Sequence, residues 1–156
     1  GLPSGDIYEV VCQLVALRRM VAMHVVAQAL PRLQAQDLVH LEQLIAAQHQ
    51  RCEDPEAYRL GEAAIEGFFV EHSGNRVVPF LHHALRRCFL ARPELVAAFM
   101  GPLPAHVVGY DLVLFAARTA VNDPSSVAAM VAAMDAGLEA FEGDGLQRVR
   151  SCLEAS

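Results

Sequence analysis

Apolar residues recur at steps of three and four along almost the whole chain, the spacing that paints a stripe on one face of an α-helix. Val10, Leu14, Leu17, Val21 and Val25 form the first stripe. Asp6 with Glu9 three residues on has the form of a capping box ahead of it, and Pro31 ends it, because proline offers no amide hydrogen to the next turn. A second helix is expected from Gln36 or Asp37, with Leu38, Leu41, Leu44, Ile45 and Gln48 on one side. Asp54-Pro55-Glu56 then joins a capping aspartate, a proline at the first helical position and an acid in the first turn. That helix should run to His72 and close at Ser73-Gly74-Asn75, where Gly74 takes the left-handed conformation at no steric cost.

Asn75 suits the cap of a helix over Arg76 to Ala91, with Pro79 in its first turn. A brief helix from Glu94 to Met100 lies between two proline-bearing stretches, and a longer one is expected from Ala105 to Val121. Asn122-Asp123-Pro124 repeats the cap-plus-proline device and opens a helix to Glu142. Gly143-Asp144-Gly145 should break it before a last short helix, Leu146 to Glu154. No segment alternates with period two for long. The expectation is an all-α fold, an antiparallel bundle of six to eight helices with short connections.

Composition narrows the class. The 156 residues suit one domain, and with 54% apolar and 19% charged residues disorder is not expected. A net charge of -6 argues against this segment gripping nucleic acid by itself. Cys12, Cys52, Cys88 and Cys152 make no CxxC pair and read as reduced, small apolar side chains inside helices. The most apolar stretch, Val10 to Leu30, is interrupted by Gln13, Arg18, Arg19, His24 and Gln28, so no membrane span and a cytoplasmic setting are expected. Residues 1–5 read as a linker or cloning remnant, with the helical domain over residues 6–156.

Candidate chemistry is sparse. His82 and His83 point about 100° apart on a helix, which suits one surface and one inward or interface histidine better than two ligands of one metal. Glu62 and Glu66 share a face, which reads either as a solvated acidic edge or, given the apolar neighbours Ala63, Ala64, Ile65, Phe68 and Phe69, as a partly buried face with at least one glutamate inward. His106 and Asp111 are five apart, a poor spacing for one site, whereas Asp37 and His40 are spaced to lie together. No Glu-x-x-His occurs, which removes the di-iron carboxylate bundles. Nucleophile elbow, phosphate loop and dinucleotide glycine motifs are missing too, so no enzyme is expected. Arg18-Arg19 and Arg86-Arg87 read as solvated faces or salt-bridge partners.

The order of these motifs resembles the FCD domain, the C-terminal ligand-binding domain of FadR-type GntR transcription regulators. The resemblance is carried by Asp6-Ile7-Tyr8-Glu9-Val10 opening a long helix and by Gln36-Asp37-Leu38 followed by Leu41. It continues through Asp54-Pro55-Glu56-Ala57-Tyr58, the run from Glu62 to Ser73-Gly74-Asn75, and Asn122-Asp123-Pro124 before an Ala- and Met-rich helix. It implies a helical bundle with a central effector cavity, a homodimer, and DNA binding through a winged-helix domain not contained in these residues. The effector it implies is a small molecule, a carboxylic acid or an apolar acyl compound.

The family's metal ligands fall here on Glu62, Glu66, Asp111 or Leu112, and Met134 or Gly137; its first-helix arginine and glutamate fall on Val11 and Val15. The ligand set is therefore not retained, no cofactor is expected, and a hard cation such as Mg²⁺ or Ca²⁺ is the only metal that Glu62, Glu66 and Asp111 would favour. The cavity candidates that follow are Glu62, Glu66, Asp111, Arg118 and His83, with Phe69 and Met134 as apolar walls. Two other readings stand beside this one: a dimerising or interaction bundle without a ligand, and the ligand domain of a TetR-type regulator.

Overall fold

In the computed structural model, which describes residues 3–156, the chain is helical almost throughout and no strand occurs among the described residues. The helices are α1 (Ser4–Ala29), α2 (Ala35–His49), α3 (Pro55–Ser73), α4 (Val78–Leu90), α5 (Pro93–Met100), the single turn α6 (Leu103–His106), α7 (Val108–Asn122) and α8 (Val127–Glu154). Short 3-10 turns at Leu30–Arg32 and Pro124–Ser126 follow α1 and precede α8.

Several caps form as the sequence implies. Asp54 Oδ1 accepts from the Ala57 amide at 3.1 Å and starts α3. Gly74, at φ 66°, ends it. Asn75 Oδ1 then takes the amides of Val77 and Val78 at 3.0 and 3.1 Å, so α4 begins two residues later than the Arg76 expected. Asp123 Oδ1 accepts from the Ser125 amide at 3.1 Å.

Two boundaries differ from the expectation. The Asp6 capping box does not form: α1 already begins at Ser4, so residues 4 and 5 of the expected linker are helical, while residues 1 and 2 lie outside the described residues. The second difference is larger. Gly143-Asp144-Gly145 does not break α8, which runs unbroken for 28 residues. Its glycine has another use: a Cβ on Gly145 would stand 2.7 Å from the Phe99 ring and 2.8 Å from the Phe99 carbonyl oxygen. Glycine is there for the close approach of α5, and helical neighbours on both sides override its weak propensity.

The long helices α1 and α8 pack on each other; α3 lies on the other flank of α1, and α2 bridges α3 and α7. Adjacent arginines fix the seat of α1. Arg18 reaches Glu66 of α3 at 3.1 Å, while Arg19, about 100° around the helix, reaches Asp135 and the buried Glu142 of α8 at 3.5 and 3.3 Å. By length and composition Ser4–Arg32 is apolar enough to cross a membrane, with mean hydropathy 1.6 over its most apolar window. In the bundle its two arginines are instead spent on ion pairs with its neighbours.

The core has two main parts. One is built on Val25, Val26, Leu41, Ile45, Phe68 and Ala117; the other on Val15, Leu95, Phe99, Val149 and Leu153. Arg148 secures the second by donating to the Ala98 and Phe99 carbonyls at 2.8 and 2.7 Å, the free carbonyls at the end of α5. Helix α4 is the most exposed of the long helices: eight of its 13 residues are exposed, and only Val78 and Leu85 are buried. The four cysteines are free thiols.

Candidate functional site

Beside the second core region, the one built on Val15, Leu95 and Phe99, lies a cavity of about 280 Å³. Its walls are the first half of α1, the middle of α3, the second half of α4, and α5. At about 30 Å³ per water in the liquid, it has room for an organic molecule of roughly nine heavy atoms. Val11 and Leu14 of α1, Phe89 of α4, and Leu95 and Phe99 of α5 give it an apolar floor.

The opposite wall is polar. Arg59, Glu62, Ala63 and Glu66 follow helical spacing along one face of α3; His82, Leu85, Arg86 and Phe89 do the same on α4. Glu66 accepts from Arg18 Nη2 on one carboxylate oxygen at 3.1 Å and pairs with His82 Nε2 through the other at 2.7 Å. Burial opposes ionisation of Glu66, but the His82 hydrogen bond and the Arg18 charge outweigh it and hold the carboxyl below its usual range.

Glu62 sits one turn deeper in a different network. The Tyr110 hydroxyl donates to its Oε1 at 2.9 Å, and His106 Nε2 stands 3.7 Å from the same atom. Burial pushes Glu62 up despite the charge of Arg18, and Glu66 adds to the push. His106 Nδ1 pairs with the Tyr58 hydroxyl at 2.5 Å. Burial, then the charges of Arg18 and Arg148, lower His106 to about 4, so it is neutral at pH 7. Burial first, and Glu62 second, raise the Tyr58 and Tyr110 phenols, which therefore stay protonated.

Local sequence explains how this wall is held. Gln48 is fully buried and its Nε2 donates to the Tyr58 carbonyl at 2.6 Å, tying α2 to the first turn of α3. The approach requires Gly61, where a Cβ would lie 2.0 Å from Gln48 Oε1.

Of the seven residues singled out from sequence, Glu62 and Glu66 line the cavity. The other five lie elsewhere. Asp111 is exposed and pairs with His49 at 2.8 Å; Arg118 is exposed and pairs with Glu42 at 2.9 Å. His83 is exposed beside the inward His82, the split that adjacent helical positions imply. Phe69 is buried in the larger core, and Met134 packs against that core. Asp37 and His40 also part company: Asp37 pairs with His72 at 3.2 Å, and His40 stacks edge-on against Phe68.

Sequence reasoning missed Arg18, His82 as a Glu66 partner, and the Tyr58–His106 pair. Arg18 stood in the sequence only as half of a basic pair on the first helix; its partner Glu66 comes from α3. Among the described residues no three His, Cys, Asp or Glu side chains converge as a metal site. No family model, characterised protein or solved structure matches this chain.

Proposed function

We propose that this chain is a small-molecule sensor domain, with the cavity between α1, α3, α4 and α5 as its binding site. The observation that carries the proposal is the pairing of an apolar floor with a hydrogen-bonded polar wall inside one open cavity, the usual anatomy of a small-ligand site. A scaffold needs only a closed apolar core there. The loose seat of α4, which supplies one wall, gives the ligand something to move.

The motif order extends the proposal. It supports an effector-binding and dimerisation domain of a cytoplasmic GntR/FadR-type regulator, whose DNA is held by a separate winged-helix domain. On this reading the effector acts by population shift, favouring one placement of α4 and of the paired copies. The domain is proposed to need no metal.

Thermal unfolding with a panel of small carboxylic acids and acyl compounds, with and without EDTA, tests this. A ligand at 100 times its Kd adds about 2.7 kcal/mol, which for a domain of this size raises Tm by roughly 5–10 °C. A panel without any shift contradicts the sensor reading, and a fall in Tm with EDTA contradicts the metal-free one. A second reading, an interaction module, is favoured by the exposed stripe Val108, Leu112 and Phe115 on α7. It expects an apolar contact there and silence in the panel.

A further inference from the structure

Helix α4 carries a charge pattern unlike the rest of the chain. The protein is acidic, with a net charge of -6, yet no Asp or Glu lies between Glu71 and Glu94. Arg76, Arg86, Arg87 and Arg92 all fall in that stretch. Arg92 pairs with Glu94, and Arg86 lines the cavity. Arg76 and Arg87 are exposed and make no ion pair among the described residues.

The outer face of the same helix is apolar. Val78, His82, Leu85 and Phe89 face the bundle. Val77, Phe80, Leu81 and Ala84 cover an arc of about 100° on the outer side. All four are exposed, Phe80 by 79% and Val77 by 73%. Arg76, His83 and Arg87 run along one edge of the arc. Single apolar side chains on a surface mean little, but a cluster with a polar rim marks a contact face.

The size of the face decides the partner. At about 1.5 Å per residue and over such an arc, α4 is a ridge about 20 Å long and about 10 Å wide, a footprint of about 200 Å². The exposed Leu17 and Met20 of the adjoining α1 add no more than the same again. A stable protein partner needs roughly 800 Å² on each side. A fluid bilayer needs no matched surface, because each side chain enters it singly.

We infer that the outer face of α4 docks on the surface of an anionic lipid bilayer. Val77, Phe80 and Leu81 enter the acyl boundary, and Arg76 and Arg87 meet the headgroup phosphates. A basic amphipathic helix of this kind lies in the plane of the interface. With 13 residues α4 is too short to cross the membrane. The acidic remainder of the chain is repelled by the same surface, which leaves α4 as the side that approaches. The contact is independent of any ligand, since the cavity lies on the inner side of the helix.

The chain has no tryptophan, so Phe80→Trp gives a single reporter on the face and Phe115→Trp a control on α7. Each folded protein, checked by circular dichroism, is mixed at low salt with vesicles of phosphatidylcholine alone or with one part in three phosphatidylglycerol. Binding is read by co-sedimentation and insertion by indole emission. The parent should bind the anionic vesicles about tenfold or more tightly than the neutral ones, and high salt should release it. The emission of Phe80→Trp should shift to the blue on the anionic vesicles, and that of Phe115→Trp should not. Arg76→Gln/Arg87→Gln should lose most of the preference for anionic lipid, and Phe80→Ser should bind about tenfold more weakly.

No binding to anionic vesicles, equal binding to both kinds, or an unshifted Phe80→Trp on vesicles that bind it overturns the inference. So does sedimentation velocity showing a parent dimer that Phe80→Ser converts to monomer, because a second copy then covers the face.

Discussion

Lowering the pH from 7.5 to 4.5 should weaken the fold through one histidine. His106 is lowered from 6.5 to about 4 in the folded protein, chiefly by burial, so the unfolded chain binds a proton at a pH where the native state does not. Stability from this group is therefore fully present above pH 6.5 and falls as the pH drops toward 4. At about 1.4 kcal/mol per pH unit, the loss by pH 4.5 is about 2.5 kcal/mol. Its side chain is only 11% exposed, so little of this is screened by solvent.

The assay is urea unfolding at three pH values for the parent and for His106→Gln. At pH 7.5 the variant should be less stable by about 1–2 kcal/mol, the cost of disturbing the buried bond to Tyr58. By pH 4.5 it should match or exceed the parent. Glu66, held low, loses stability as the pH falls further, and Glu62, raised, gains it; both remain in the variant, so the difference isolates His106. Identical pH profiles for the two proteins, or an NMR titration of His106 near 6.5, would refute the reasoning.

Four other substitutions test the helical account. Gly145→Ala should destabilise by about 1–3 kcal/mol through overpacking against Phe99. Gly143→Ala, where a Cβ meets nothing within 4 Å, should stabilise by about 0.5–1 kcal/mol if α8 is continuous. The two opposite signs are measured by the same denaturant midpoints, and a loss at both sites would restore a break in α8. Asp54→Ala should cost α3 about 1 kcal/mol by removing the acceptor for the Ala57 amide. Gly74→Ala should cost about 1–2 kcal/mol, since φ 66° is unfavourable for alanine.

Local signals made much of the fold legible. Asp54-Pro55, Ser73-Gly74-Asn75 and Asp123-Pro124 each act within one turn of the chain, and each punctuates the structure where the sequence says. The glycines of α8 misled because a glycine pattern is ambiguous: the same residue serves a chain break or a close helix approach, and only the position of Phe99 decides. The site was half legible for a similar reason. Glu62 and Glu66 stood out as carboxylates among apolar neighbours on one helix. Their partners come from α1, α4 and the α6–α7 region, and no spacing within a helix reports which side chains meet across a cavity. Arg18 and Arg19 show the limit plainly: neighbours in sequence, they serve α3 and α8 on opposite flanks of α1.

The central claim is that the cavity between α3 and α4 is a ligand site. A crystal structure of the protein grown with the compound of the panel that raises Tm most tests it most directly. The account predicts that compound in the cavity with its apolar part against Phe89, Leu95 and Phe99; a cavity filled only by water at saturating ligand, or the compound bound elsewhere, would contradict it.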